Sequence, residues 1–405
     1  MPFPRRPSPQ KKIWAYSLPS ALLLMAPFDI LASLAMDIYL PVVPLMPEAL
    51  GTSPSVIQLT LSLYMITLGL GQIVFGPISD RIGRRPVLLG GGLLFAGASV
   101  ALAGTSSAAA FVALRVVQAM AASAVLVATF ATVRDVYAER PEGAVIYGLF
   151  SAMLAFVPAL GPVAGALIAQ GFGWRAIFVT LGIMAMAATL NAWLRWHETR
   201  PQNGSGPRPA FGPILRSFAF WTYTLGFAAA MGTFFVFFST APRVLIDRAG
   251  FTQLGFSLAF ATAALVMIAT TRFARPFIAR WGTAGSLARG MAMLLLGASM
   301  LAIGQVLAAP SFATFVLPMW VMAVGIVLAG SVTANGALEA FGDVAGTAVA
   351  LYFCAQSLIV GIAGTLFVIL LGGDTAWPLA AYATVLAATT LWALKRLQDR
   401  QGTTN

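Results

Sequence analysis

The sequence predicts an all-α integral membrane protein, with twelve transmembrane helices in two six-helix halves around a central cavity. Three observations carry this prediction. The 405 residues are 59% hydrophobic and only 9% charged. They divide into twelve long apolar runs, and nearly all the basic residues fall in alternate gaps between those runs.

A soluble domain carries about 25% charged residues, so the composition excludes that class. A helical span needs about 20 apolar residues. Twelve of them with short loops consume nearly the whole length and leave no room for a soluble catalytic domain. The net charge of +11 raises the question of nucleic acid. A nucleic-acid binder gathers Lys and Arg on one patch with stacking aromatics, whereas here they sit between apolar runs. The bilayer is therefore the expected partner, with no nucleic acid. Cys354 is the sole cysteine and His197 the sole histidine, which excludes a disulfide, a cysteine cluster and most zinc chemistry. No metal and no cofactor is expected.

The apolar runs fall near 17–39, 56–76, 87–105, 108–130, 145–167 and 174–194, then 218–240, 254–271, 287–308, 312–333, 345–370 and 376–394. Arg5, Arg6, Lys11 and Lys12 before the first run resemble the start of a signal peptide. That run is too long for one and contains Asp29 and Asp37, so it reads as a retained span. With a cytoplasmic N-terminus, 20 of the 24 Lys and Arg fall on the inside. Arg175, Arg243 and Arg248 fall outside, and Arg115 lies within a span. This bias predicts that both termini are cytoplasmic. The longest polar stretch, 195–216, holds Pro201, Gly204, Ser205, Gly206, Pro207 and Pro209, the composition of a flexible linker. It divides the chain into bundles at 1–194 and 217–405. The halves echo each other. Trp14, Tyr16 and Leu18 recur as Trp221, Tyr223 and Leu225, and Pro77, Arg81 and Gly83 recur as Pro276, Arg280 and Gly282. Tandem six-span repeats suit a rocking transporter.

Four groups of residues carry candidate mechanism. Between spans 2 and 3 stands a loop with Gly76, Pro77, Asp80, Arg81, Gly83, Arg84 and Arg85. Gly76 and Pro77 are expected to allow a tight exit from the helix, and Gly83 a close backbone contact. Asp80 can pair with Arg side chains or sit at a helix N-terminus, though a plain topology-fixing loop is the alternative. Asp29 lies mid-span, just after Pro27. A charge there costs about 2.5–3.5 kcal/mol, which marks it as a candidate proton site, with a buried Asp satisfied by a neighbouring helix as the alternative. Asp37 is nearer the surface, where simple solvation is an equal reading. Arg115, about 10 Å deep by helical rise, is the sole basic residue within a span. In span 5, Pro158, Gly161, Pro162 and Gly165 predict a bent, closely packing helix, either specialised or generic. Tyr64, Gln118, Phe234, Phe235 and Tyr352 are candidate cavity-lining residues that packing between helices would explain equally well.

The loop resembles the G-x-x-x-D-R-x-G-R-[RK] motif of the major facilitator superfamily, where it acts as a cytoplasmic gate latch. Gly161-Pro162 with Gly165 resembles the G-P-x-x-G core of that superfamily's antiporter motif, which distinguishes exporters from importers. Together they look like the twelve-span drug:proton antiporters. Residues 22–41, 131–137, 234–238 and 335–338 are similar to the chloramphenicol and florfenicol exporters. The resemblance covers nearly the whole chain and is weakest in the tails and at 200–212. It implies the major facilitator fold and alternating-access export of amphenicols against protons across a bacterial inner membrane, by a monomer that is not an enzyme. It implies drug binding and proton coupling at Asp29 and Arg115, with spans 1 and 4 adjacent and the two side chains paired. Ala119 departs from the glycine usual after Gln118, adding one methyl group. A broader multidrug antiporter is the alternative, and a membrane channel or enzyme a more distant one.

Overall fold

The computed structural model describes residues 14, 16–137, 141–200 and 211–402. Arg5, Arg6, Lys11, Lys12, Arg140, Arg208 and the Pro/Gly-rich stretch 201–210 lie outside the described residues. Most of the described residues are helical, with no strand among them.

Helix α1 spans Leu18–Asp37, with a proline in its first turn where a missing N–H costs nothing. Prolines then tighten the chain into a 3₁₀ turn at Leu40–Leu45. The first half continues with α2 (Pro54–Ile82), α3 (Arg84–Gly104), α4 (Ala108–Tyr137), α5 (Pro141–Phe172) and α6 (Trp174–Arg195). A short helix, Phe211–Arg216, leads into α7 (Phe218–Pro242), which widens into a π turn at Arg243–Arg248. The next helical stretch, Gln253–Leu307, is 55 residues long. At 1.5 Å per residue that is about 80 Å, far more than a bilayer's hydrocarbon core of about 30 Å. It is broken at Gly282, whose backbone (φ 66°, ψ −178°) is not helical, so it forms two spans, α8 (253–281) and α9 (283–307). Helices α10 (Leu317–Leu338), α11 (Ala345–Leu371) and α12 (Trp377–Gly402) follow. Among the described residues, ten helices are long and apolar enough to cross a bilayer. One is the double-length α8–α9 stretch, and α5 completes the twelve. Twelve crossings place the start of α1 and the end of α12 on one side, called here the terminal face.

Two expectations about loops are corrected. Gly76 and Pro77 do not end a helix, because α2 continues through both to Ile82. The basic residues Arg272, Arg275 and Arg280 lie on the extended end of α8 rather than in a loop. A proline removes only one backbone bond, and helices persist past the apolar core, where basic side chains reach water.

In the first half, α1 packs on α4, α5 and α6, α4 on α2 and α3, and α3 on α6. In the second, α7 packs on α10, α11 and α12. The halves meet along two seams. At α2–α11, Ser357 and Ile66 fill the spaces left by Gly69 and Gly361, and Thr365 donates a hydrogen bond to Ser62. At α5–α8, Ser257 Oγ donates to the Pro162 carbonyl at 3.0 Å. Opposite the terminal face, the turn 40–45 touches α7, its π turn and the 253–307 stretch, which closes that side. On the terminal face a pocket of about 400 Å³ is lined by Thr283, Asn335, Leu338 and Glu339.

Candidate functional site

The charged centre of the first half is built on α1, α2, α3 and α4. Arg115 is fully buried. Its Nη1 donates to the Ala35 carbonyl at 3.1 Å and to Gln118 Oε1 at 2.6 Å. Gln118 lies one helical turn further along α4, so the two side chains share a face. Gln118 Nε2 in turn donates to Ser99 Oγ at 2.8 Å, and Ser99 donates to the Phe95 carbonyl. The guanidinium carbon lies 4.5 Å from the centroid of the Tyr64 ring and 5.3 Å from that of Tyr39. Tyr64 is fixed by donating from its hydroxyl to the Ala32 carbonyl at 2.8 Å. Arg115 Nε and Nη2 find no hydrogen-bond partner among the described residues. A desolvated cation over aromatic faces gains about 2 kcal/mol, so the tyrosines replace part of the lost hydration.

Asp29 is 1% exposed, and neither carboxylate oxygen has a hydrogen-bond partner among the described residues. The expected Asp29–Arg115 ion pair is not formed, although α1 and α4 do pack together. Helical side chains lean toward their own N-terminus. For α1 that is the terminal face and for α4 the opposite one, so Asp29 and Arg115 lean apart. Arg115 instead grips α1 at Ala35, six residues beyond Asp29 and two before the buried Asp37.

The loop motif forms an ionic cluster on the terminal face. Buried Arg84 bonds Asp80 at 2.6 Å, Asp135 at 2.9 Å and Ser79 Oγ at 3.2 Å. Asp80 does not occupy the helix N-terminus. Glu198 does, accepting from the backbone N–H groups of Arg84 (2.9 Å) and Arg85 (3.1 Å) at the start of α3. Gly83 is required twice over: its φ is 109°, and a Cβ would lie 2.4 Å from Glu198 Oε2. Arg85 Nη2 donates to the Trp193 carbonyl, and Arg200 donates to the carbonyl of Arg81. The motif is thus bound to the end of α6 and its following segment.

Gly161 and Gly165, one turn apart on α5, press against α1. A Cβ on Gly161 would lie 2.8 Å from that of Asp37, and one on Gly165 only 1.9 Å from the Ile38 carbonyl. With Pro162 bonded to Ser257, these residues hold the crossing of α1, α5 and α8. Pro158, half-buried, lies one turn before Pro162 on the same helix.

Tyr64 and Gln118 belong to the Arg115 network. Tyr352 is buried, stacked on Phe227, and donates to Thr333 Oγ1 at 2.9 Å. Phe235 is buried beside Phe238 and Gly364, and Phe234 packs against Phe260. Among the described residues no group of His, Cys, Asp or Glu is placed to hold a metal ion. Reading the sequence did not single out Tyr39, Ser99 or Glu198. Tyr39, two residues after Asp37, offered the signal of an aromatic beside an intramembrane charge. Glu198 offered none, since its partner lies 114 residues away.

Helical halves joined at two seams, a buried charge network in one, and an ionic loop at a helix junction define a membrane transporter of the two-bundle kind. The chain belongs to the Major Facilitator Superfamily, whose sequence pattern it matches over residues 28–365. It is 52% identical, over 93% of its length and 90% of the relative's, to a "Chloramphenicol resistance protein" of Pseudomonas aeruginosa. It is 28% identical, over 64% of each chain, to the "Multidrug resistance protein MdtL" of Klebsiella pneumoniae. Among solved structures, a peptide transporter crystallised with sulfate shares the fold at a TM-score of 0.77 and 12% identity, over 95% of this chain and 94% of the other.

Proposed function

We propose that this protein exports amphenicol antibiotics, chloramphenicol and florfenicol, from a bacterial cell in exchange for protons, and so confers resistance. It sits in the inner membrane as a monomer with the terminal face cytoplasmic. The bundles 1–194 and 217–405 rock about the linker 195–216. The observation that carries this reading is the 52% identity to a chloramphenicol resistance protein across 93% of the chain.

Asp29 supplies the exchange. A buried carboxyl without a partner can take up a proton, and when ionised it accepts stronger hydrogen bonds from a drug's hydroxyls, so proton and drug compete for it. Arg115 acts on the same helix from the opposite end through Ala35, so motion of α1 is felt at both charges. The cluster around Arg84 ties α2, α3 and α4 together at the terminal face, so the gating motif makes the first bundle tilt as one body. The α5 glycines let α1 roll against α5 without side chains between them.

Inverted membrane vesicles are expected to accumulate chloramphenicol under a proton gradient and to release it on adding a protonophore. Asp29→Asn is expected to abolish gradient-driven uptake, and uptake at the wild-type rate would refute the coupling role. A broader multidrug exporter is the second reading, motivated by the likeness to MdtL. A resistance panel over unrelated drugs separates the two.

A further inference from the structure

Helix α7 is buried on every side but one. From Gly226 to Pro242 only Phe227, Met231 and Phe234 are partly open, and their i, i+4, i+7 spacing puts them on one face. Outward-facing apolar residues are far more open, as Ile183 of α6 is at 63%, so this narrow stripe faces a confined space inside the protein. Helix α10 borders the same space. Outside its own helix, a Cβ on Gly330 would meet only Met231 Cε and Phe227 Cε2, each at 4.0 Å. Ala334 and Leu338 follow Gly330 at one-turn spacing and are also partly open. Leu338 lines the pocket of about 400 Å³ on the terminal face, so the open side of α10 leads from that pocket inward to Gly330. On α11, Phe353 is 37% exposed and meets the Phe227 ring edge-on at 6.1 Å. It lies one turn to the terminal side of Ser357, the seam residue opposite Gly69.

This recess stands level with Asp29. Tyr64 of α2 bonds the Ala32 carbonyl of α1, its near neighbour Ile66 meets Gly361 of α11, and Gly364 meets Phe235 of α7. Asp29 lies three residues from Ala32, and Met231 four from Phe235, both toward the terminal face. Those are about 4.5 Å and about 6 Å of helical rise, so the two side chains start from nearly one depth. A glycine leaves the floor of the recess flat. Phe227, Met231 and Phe353 edge it with aromatic and polarisable groups, the surfaces against which a planar ring packs. An amphenicol carries such a ring at one end and a diol at the other.

We propose that the recess over Gly330 seats the drug's phenyl ring against Phe227, Met231 and Phe353, while its diol extends across to Asp29 in the first bundle. This rests on the exporter reading and assigns specificity-determining residues in the second bundle. The ring then joins the two halves at a level where the protein itself leaves them apart.

The test is equilibrium dialysis of chloramphenicol against the purified full-length protein. Gly330→Leu fills the recess and is expected to raise the Kd about tenfold or more. Phe353→Leu keeps an apolar side chain but removes one ring, with an expected rise of about two- to tenfold. Gly97→Leu on α3, where an added Cβ meets nothing within 4 Å, is the control and is expected to bind as wild type does. If Gly330→Leu does not fold, Gly330→Ala makes the same comparison with a single methyl group, and a rise of about threefold is expected. An unchanged Kd in either the Gly330 or the Phe353 variant overturns this inference alone, as does weakening of the same size by Gly97→Leu. Wild-type protein that binds no chloramphenicol overturns the exporter reading and this inference with it.

Discussion

Replacing Arg115 by lysine keeps the charge and tests whether the guanidinium's shape is what the first bundle requires. The planar group donates to Ala35 and Gln118 through one nitrogen while lying against the rings of Tyr64 and Tyr39. A compact ammonium on a linear stem cannot hold both acceptors and lie between both rings. One hydrogen bond from a charged donor is worth about 1.5–3 kcal/mol in water-soluble proteins, though side-chain bonds in membranes average nearer about 0.6 kcal/mol. Losing one ring face costs about another 1 kcal/mol. Two guanidinium nitrogens already lack partners, which keeps the total toward the lower end, about 1–3 kcal/mol. Arg115→Lys is therefore expected to melt a few degrees below wild type in detergent by intrinsic fluorescence, and to pump chloramphenicol more slowly in inverted vesicles. A variant that melts within about 1 °C of wild type and pumps at its rate would refute the argument.

Gly165→Ala places a methyl group where the Ile38 carbonyl stands, so α1 and α5 must separate, at a cost of about 1–3 kcal/mol. Gly76→Ala is its control. No atom lies within 4 Å of that Cβ, so higher thermal stability is expected from a gain of about 1 kcal/mol in helix propensity. Equal melting temperatures for the two variants would contradict the packing account. Glu198→Gln removes the anion from the start of α3 and should lower stability by about 0.5–1 kcal/mol, less so at high salt. A thermal melt as stable as wild type at low salt counts against that cap. At the opposite face, Arg248 bonds Asp374 at 2.9 Å and holds its carboxyl below the usual carboxylate range. The stabilisation is complete above that range and is lost as pH falls through the lowered folded-state value. Both groups are partly exposed, so the effect is about 1 kcal/mol or less. Asp374→Asn should narrow the difference between melting temperatures at neutral and acid pH, and an unchanged difference would exclude the pair.

Much of this molecule is legible along the chain. The apolar runs locate the spans because a bilayer requires about 20 such residues for each crossing, whatever their neighbours. The α8–α9 junction was visible as Gly282 echoing Gly83, since a break in a helix needs a residue free to adopt positive φ. The exits were not legible at Gly76 and Pro77, where a helix end depends on how far the chain continues into the interface.

The sequence by itself determined the class of protein, the identity of the intramembrane charges and the position of the ionic loop. Each of these follows from local composition, which the bilayer reads one residue at a time. Only the tertiary structure decided what each charge meets. Asp29 and Arg115 lean toward opposite faces because their helices run antiparallel, so Arg115 takes Tyr39, Tyr64, Ala35 and Gln118 instead. Glu198 reaches the start of α3, and Trp196 reaches Trp14 and Phe28, across separations of more than a hundred residues. Such meetings depend on helix order, rotation and direction in space, which no stretch of residues encodes alone.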